Sequence, residues 1–132
     1  MTEPADDASA MDELIERETP YGLLQRARLL QRRRHHAQAA VLLERARSEE
    51  PGKASILEPL ARAYYNGGRT EAAAGVFENL IEIDPSSAWG HFGLGQSLKR
   101  LGRLDAARKH LRLAVALAPD SDLYRSALAR LG

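Results

Sequence analysis

The sequence predicts an all-α solenoid: three helix–turn–helix repeats stacked side by side and closed by a C-terminal capping helix. Three observations carry that prediction. Pro51, Pro85 and Pro119 each end a helix-like run and stand 34 residues apart. The same step aligns Ala39, Ala73 and Ala107, then Leu43, Phe77 and Leu111, then Leu30, Tyr64 and Leu98. Within a unit the apolar residues recur every three or four positions, as Leu57, Leu60, Ala61 and Tyr64 do, which is the period of one helix face. A register of this length is the mark of a stack in which each unit buries its apolar face on its neighbours.

The chain opens on an acidic leader, residues 1–19, carrying Glu3, Asp6, Asp7, Asp12, Glu13, Glu16 and Glu18 against Arg17. Its charge of −6 leaves +7 on residues 20–132, because the whole chain sums to +1. So acidic a segment is expected to be largely flexible, while Met11, Leu14 and Ile15 have the spacing of a short helix over 11–17. The first repeat, 20–53, starts at Thr19-Pro20, a capping hydroxyl followed by proline at the first helical position. The second, 54–87, and the third, 88–121, break between their helices at "NGGR" and "RLGR", where glycine permits positive φ. Arg34 holds the equivalent place in the first repeat. Ser55-x-x-Glu58 reads as a cap ahead of Pro59, which falls early in its helix where a proline costs little. After Pro119, a cap at Asp120, Ser121 or Asp122 opens a last helix, 122–131, whose Leu123, Tyr124, Ala127, Leu128 and Leu131 seal the stack.

These units resemble the tetratricopeptide repeat (TPR) family, whose pattern is W-x2-L-G-x2-Y, then A-x3-F, then P, at a 34-residue period. The second unit reads Leu57-x2-Leu60-Ala61-x2-Tyr64, Ala73-x3-Phe77, Pro85. The third reads His91-x2-Leu94-Gly95-x2-Leu98, Ala107-x3-Leu111, Pro119. The first, Leu23-x2-Arg26-Ala27-x2-Leu30, Ala39-x3-Leu43, Pro51, departs at Arg26 and at Arg34, as a terminal unit facing water does. The resemblance covers residues 20–121 and implies a right-handed solenoid, a concave side lined by the first helix of each repeat, and a protein-binding role.

Chemistry of other kinds finds no footing. "AWGHFGLGQSLKRLG" brings Gly90, Gly93 and Gly95 together, but a phosphate-cradling loop needs a strand before it or a G-K-[ST] after it. Gly95 instead aligns with Ala27 and Ala61, where helices pack closely. Gly90 and Gly93, beside Trp89 and Phe92, leave two readings: a hollow in the helix surface, or room for a neighbouring helix. The chain has no cysteine, hence no disulfide or thiolate site. His35 and His36 are adjacent and point about 100° apart on a helix, a poor geometry for one metal. His91 is expected to be packed and His110 to lie at the surface. No H-E-x-x-H or G-x-S-x-G is present. Neither a catalytic residue, a cofactor nor a metal site is expected. "QRRRHH" reads as a solvated corner, and nucleic acid is not expected as a partner. No apolar run approaches the roughly 20 residues that span a bilayer, so no membrane role is expected. The leader lacks the order of a secretory signal, and a cytoplasmic protein is expected. The surplus of arginine and alanine points to a bacterial source.

What remains is a binding surface. On the first helices, the residues off the packing stripe are Tyr21, Leu24, Arg28 and Arg32, then Ser55, Glu58, Arg62, Tyr65 and Asn66, then Trp89, Phe92, Gln96, Lys99 and Arg100. Five cations thus accompany one carboxylate and several aromatic rings, the residue types that anchor interfaces. The expected partner is an acidic peptide or helix of another protein, or this chain's own leader. Some family members hold chaperone C-termini with a Lys/Asn/Lys/Arg clamp. Leu24, Arg28, Pro59, Trp89 and Gly93 occupy those places, so chaperone-tail binding is not expected. The alternative is a structural module that self-assembles into homo-oligomers through exposed repeat faces.

Overall fold

The computed structural model describes residues 19–132. The helix expected over 11–17 lies outside them. Among the described residues seven helices follow in order: α1 (Pro20–Arg32), α2 (His36–Glu49), α3 (Ala54–Asn66), α4 (Thr70–Ile83), α5 (Ala88–Arg100), α6 (Leu104–Leu117) and α7 (Asp122–Leu131). No strand occurs among the described residues. Each helix packs on the next, and α1 also touches α3, so the hairpins pile up as an all-α helix–turn–helix solenoid. No helix among the described residues is long and apolar enough to cross a membrane.

The turns inside the hairpins share one geometry. Their middle residues, Arg34, Gly68 and Gly102, have φ of 63°, 81° and 79°. That left-handed step lets the following N–H reach back to the helix end: His35 N donates to Leu30 O at 2.8 Å, Arg69 N to Tyr64 O at 2.8 Å and Arg103 N to Leu98 O at 2.9 Å. Carbonyls that the helix end would orphan are thereby satisfied. Arg34 adopts the same conformation despite its Cβ.

Three helices start on a capping hydroxyl. Thr19 Oγ1 accepts from Gly22 N at 3.0 Å, Ser87 Oγ from Gly90 N at 3.0 Å and Ser121 Oγ from Tyr124 N at 3.2 Å. Ser55 does not cap α3, contrary to the reading of its spacing. The helix already begins at Ala54, Lys53 holds the cap position, and no side chain bonds there. Pro59 lies inside the helix. Its own carbonyl accepts from Gln31 Nε2 at 2.9 Å, tying α1 to α3.

Alanines fill the closest approaches: Ala27, Ala39, Ala61, Ala73 and Ala107 are fully buried, with Leu23, Leu43, Leu57, Leu60 and Leu111 around them. A Cβ at Gly95 would stand 2.8 Å from Leu111 and 3.3 Å from the Ala107 carbonyl, so α5 meets α6 where only hydrogen fits. A polar strut joins the first two repeats. The Tyr64 hydroxyl donates to Glu44, Arg47 donates to Asn79 Oδ1 at 3.0 Å, and the Arg69 guanidinium lies 5.0 Å over the Tyr64 ring. Burial, and then the bond to Glu44, push the Tyr64 hydroxyl up to about 12.

Candidate peptide-binding groove

Two adjoining hollows run across α1, α3 and α5. The first, of about 580 Å³, takes Arg28, Gln31 and Arg32 from α1, His36 from α2, and Ser55, Glu58, Pro59, Arg62 and Asn66 from α3. The helical period puts Arg28 and Arg32 on one face of α1, and Ser55, Glu58 and Arg62 on one face of α3. Three guanidinium groups therefore face one carboxylate, and among the described residues none of the four groups is ion-paired. Unneutralised cations in a concavity raise the local potential and draw anions in.

The second hollow, of about 180 Å³, is aromatic. Arg62, Tyr65 and Asn66 of α3, Phe77 of α4, and Trp89, Phe92, Gly93 and Gln96 of α5 form it. Its rings brace one another. Phe77 meets Trp89 edge-on at 5.2 Å between centroids, and Phe92 stacks on Tyr124 of α7 at 4.7 Å. The Arg62 guanidinium lies 5.1 Å over the Trp89 ring. Burial raises the Tyr124 hydroxyl above its ordinary value. Among the described residues the enclosed Gln96 Oε1 accepts no hydrogen bond.

Both readings of the glycines hold, at different places. A Cβ on Gly90 would come within 2.9 Å of Ile81, so that glycine makes room for α4. A Cβ on Gly93 would fall 2.0 Å from the Phe77 ring, yet Gly93 also borders the second hollow. The missing side chain lets a core ring show through to the groove.

Of the residues singled out by sequence, Arg28, Arg32, Arg62 and Asn66 come together in the first hollow, and Arg62, Tyr65, Asn66, Trp89, Phe92 and Gln96 in the second. Lys99 and Arg100 line neither. Arg100 stands at the lip, 3.6 Å over the Tyr65 ring, and donates to the Tyr65 carbonyl at 3.0 Å. Leu24 is buried at 8% exposure rather than facing the groove. Gln31, His36, Pro59, Phe77 and Gly93 line the hollows without having been picked out as groove residues. His110 is not the surface residue expected of it. Its ring stacks on His91 with the two Nδ1 atoms 3.1 Å apart. His91 Nε2 donates to the Pro85 carbonyl at 2.9 Å, which leaves its Nδ1 to accept from His110. Burial first, then the charges of His91 and Lys109, lower the His110 pKa below the ordinary histidine value. No cluster of three or more His, Cys, Asp or Glu side chains suited to a metal occurs among the described residues.

Comparison with known proteins gives one consistent answer. Two family models, each described as a tetratricopeptide repeat, match residues 24–88 and 68–131. Over 97 residues the chain is 31% identical to a TPR repeat-containing thioredoxin of Arabidopsis thaliana, covering 74% of this chain and 14% of that one. MamA from Desulfovibrio magneticus superposes with a TM-score of 0.81 at 18% identity, over 85% of this chain and 63% of that one. The first TPR of Spaghetti (RPAP3), solved bound to the HSP90 peptide SRMEEVD, superposes with a TM-score of 0.79 at 14% identity, over 85% and 89%. At such identities the superpositions establish the fold alone. The 34-residue register, the seven stacked helices and the two repeat matches agree: the chain belongs to the tetratricopeptide repeat family.

Proposed function

We propose that this domain is a non-catalytic protein-interaction module whose groove across α1, α3 and α5 binds an acidic peptide or helix of a partner protein. The observation that carries this reading is the first hollow, where Arg28, Arg32 and Arg62 stand without ion pairs among the described residues opposite the single carboxylate of Glu58. The RPAP3 domain supports it at the level of ligand class, since the peptide bound there, SRMEEVD, has three carboxylate side chains. The residues do not carry over, because the clamp places hold Leu24, Arg28, Pro59, Trp89 and Gly93. A cytoplasmic, bacterial setting fits a chain without cysteine and rich in arginine.

An array of acidic, neutral and basic decapeptides tests the reading. Binding should concentrate on the acidic members, weaken about tenfold or more between low and high salt, and vanish in the Arg28→Glu/Arg62→Glu variant. Equal binding across the charge classes, indifferent to salt, would sink it.

The opposite charges of the leader and the rest, −6 and +7, favour a second occupant. Tethering gives residues 1–19 a high local concentration at the groove. Deleting them should tighten binding of an added acidic peptide, and an unchanged affinity disposes of the idea. Exposed Leu113 and Leu117 on α6 and Leu123 on α7 favour the alternative of self-assembly. Light scattering along a dilution series decides it: a mass that falls on dilution supports assembly, and a monomer mass throughout excludes it.

A further inference from the structure

The geometry points to the hollow between α3 and α5 as an anchor pocket for one leucine- or methionine-sized side chain of an acidic partner peptide, with Gly93 setting its size. This rests on the acidic-groove reading and adds the feature that would make such a groove selective.

Size is the first argument. The hollow measures about 180 Å³. A dry apolar cavity of about 150 Å³ holds a benzene molecule, so one aliphatic side chain fits and a tryptophan does not. Gly93 borders the hollow, and the Phe77 ring covers its bare Cα, so a side chain at 93 would drive that ring into the space.

Stiffness is the second. Trp89 is held between the Phe77 edge and the Arg62 guanidinium, and Phe92 is backed by Tyr124. Walls already ordered before binding spend little conformational entropy on it, so burial of the entering side chain converts into affinity.

Charge complementarity is the third, and it fixes the chemistry of the occupant. Arg62 and Asn66 belong to both hollows. A side chain seated against Gly93 therefore brings its own flanking residues to Arg62, with Arg28 and Arg32 beyond. Carboxylates suit those positions, and lysines do not.

The test uses the full chain and fluorescein-labelled nonapeptides of Asp and Glu around one central residue: Leu, Ser or Trp. Anisotropy should give the Leu probe about tenfold or more tighter binding than the Ser probe, with Trp no better than Ser. Gly93→Ala should erase the Leu preference and leave the Ser probe within about twofold, the size of an effect on neither charge nor contact. Because that substitution presses on a core ring, Asn66→Phe at the exposed rim blocks the same pocket in a variant whose helix content circular dichroism verifies. Leu and Ser probes of equal affinity, both salt-sensitive, overturn the anchor pocket while the acidic groove survives. A preference for Leu that persists in both variants also overturns it. If no acidic probe binds, both readings fall.

Discussion

Two glycine-to-alanine substitutions with the same intrinsic effect should move stability in opposite directions. In a helix interior, alanine is favoured over glycine by about 1 kcal/mol. Gly75 sits inside α4, exposed, and a Cβ there meets nothing within 4 Å. Gly75→Ala should therefore realise most of the gain, about 0.5–1 kcal/mol. Gly93→Ala receives the same backbone benefit, but its Cβ lands 2.0, 2.2 and 2.5 Å from three carbons of the Phe77 ring. Phe77 is 3% exposed and packed edge-on against Trp89, so its ring cannot swing aside without displacing a second one. Overpacking costs about 1–3 kcal/mol, and three overlaps this deep belong at the upper end. Net of the propensity gain, Gly93→Ala should lose about 2 kcal/mol, leaving the variants about 2–3 kcal/mol apart. Urea unfolding followed by far-UV circular dichroism reads the difference directly, provided the slopes agree. Adding Phe77→Leu to Gly93→Ala should recover about 1 kcal/mol relative to additivity, because the two positions share one space. If Gly93→Ala matches Gly75→Ala in stability, the close approach of α5 to Phe77 is not what keeps position 93 bare.

Two further outcomes follow from single residues. Arg34 is the sole non-glycine residue with positive φ among the described residues. The left-handed conformation costs it about 1–2 kcal/mol, of which glycine's extra unfolded-state freedom takes back about 0.5–1. Arg34→Gly should raise stability by about 0.5–1 kcal/mol and the melting midpoint by a few degrees, and an unchanged or lower midpoint refutes the account. His110 ties stability to pH through a folded-state pKa below the unfolded one. The folded chain then binds fewer protons than the unfolded chain just below the unfolded value of about 6.5. Stability from this source is whole above about 6.5 and is lost as pH falls through the lower folded value. Unfolding midpoints of the wild type and His110→Gln should diverge below pH ~6.5, with the variant flatter; parallel profiles would show that the stacked pair imposes no such cost.

Much of the fold was legible because its determinants are local. The turn geometry at Gly68 and Gly102 depends on the residue standing there, and a 34-residue register fixes which positions meet. Even the oddity of Arg34 was visible as a break in the glycine column. Ser55 misled because a cap needs the backbone shape of the residue just before the helix, and α3 starts two residues earlier than a cap at Ser55 implies, with Lys53 in the cap position. The groove was half legible for a similar reason. Helical period says which residues leave the packing stripe, so Arg28, Arg62 and Trp89 were found. It does not say how far a neighbouring helix leans over, so Leu24 ended buried and Lys99 off the hollows. Phe77 occupies a core position in the family pattern and reaches the groove only through the gap at Gly93. That information resides in a pair of residues on different helices. The His91–His110 contact likewise exists only where α5 crosses α6.

The arginines of this groove are not equivalent, and their contacts rank them. Arg100 lies on Tyr65 and also donates to the Tyr65 carbonyl, so part of its hydrogen-bonding edge is committed. Arg28 reaches Gln25 Oε1 at 3.4 Å, a long bond that holds the side chain loosely. The Arg62 guanidinium lies over the Trp89 ring at 5.1 Å. A cation–ring contact engages no N–H in a hydrogen bond and leaves the fork available for a carboxylate. On the proposed function, an acidic ligand reaching Arg62 meets a cation that has no hydrogen bond or ion pair among the described residues and fronts both hollows at once. The same contact couples the hollows physically. On the proposed function, a carboxylate held by Arg62 stands beside the Trp89 wall of the second hollow, so the charged and apolar parts of one ligand meet at a single residue. Arg62 is thus the one cation on these helices that lines both hollows, and on the proposed function it joins them into a single site.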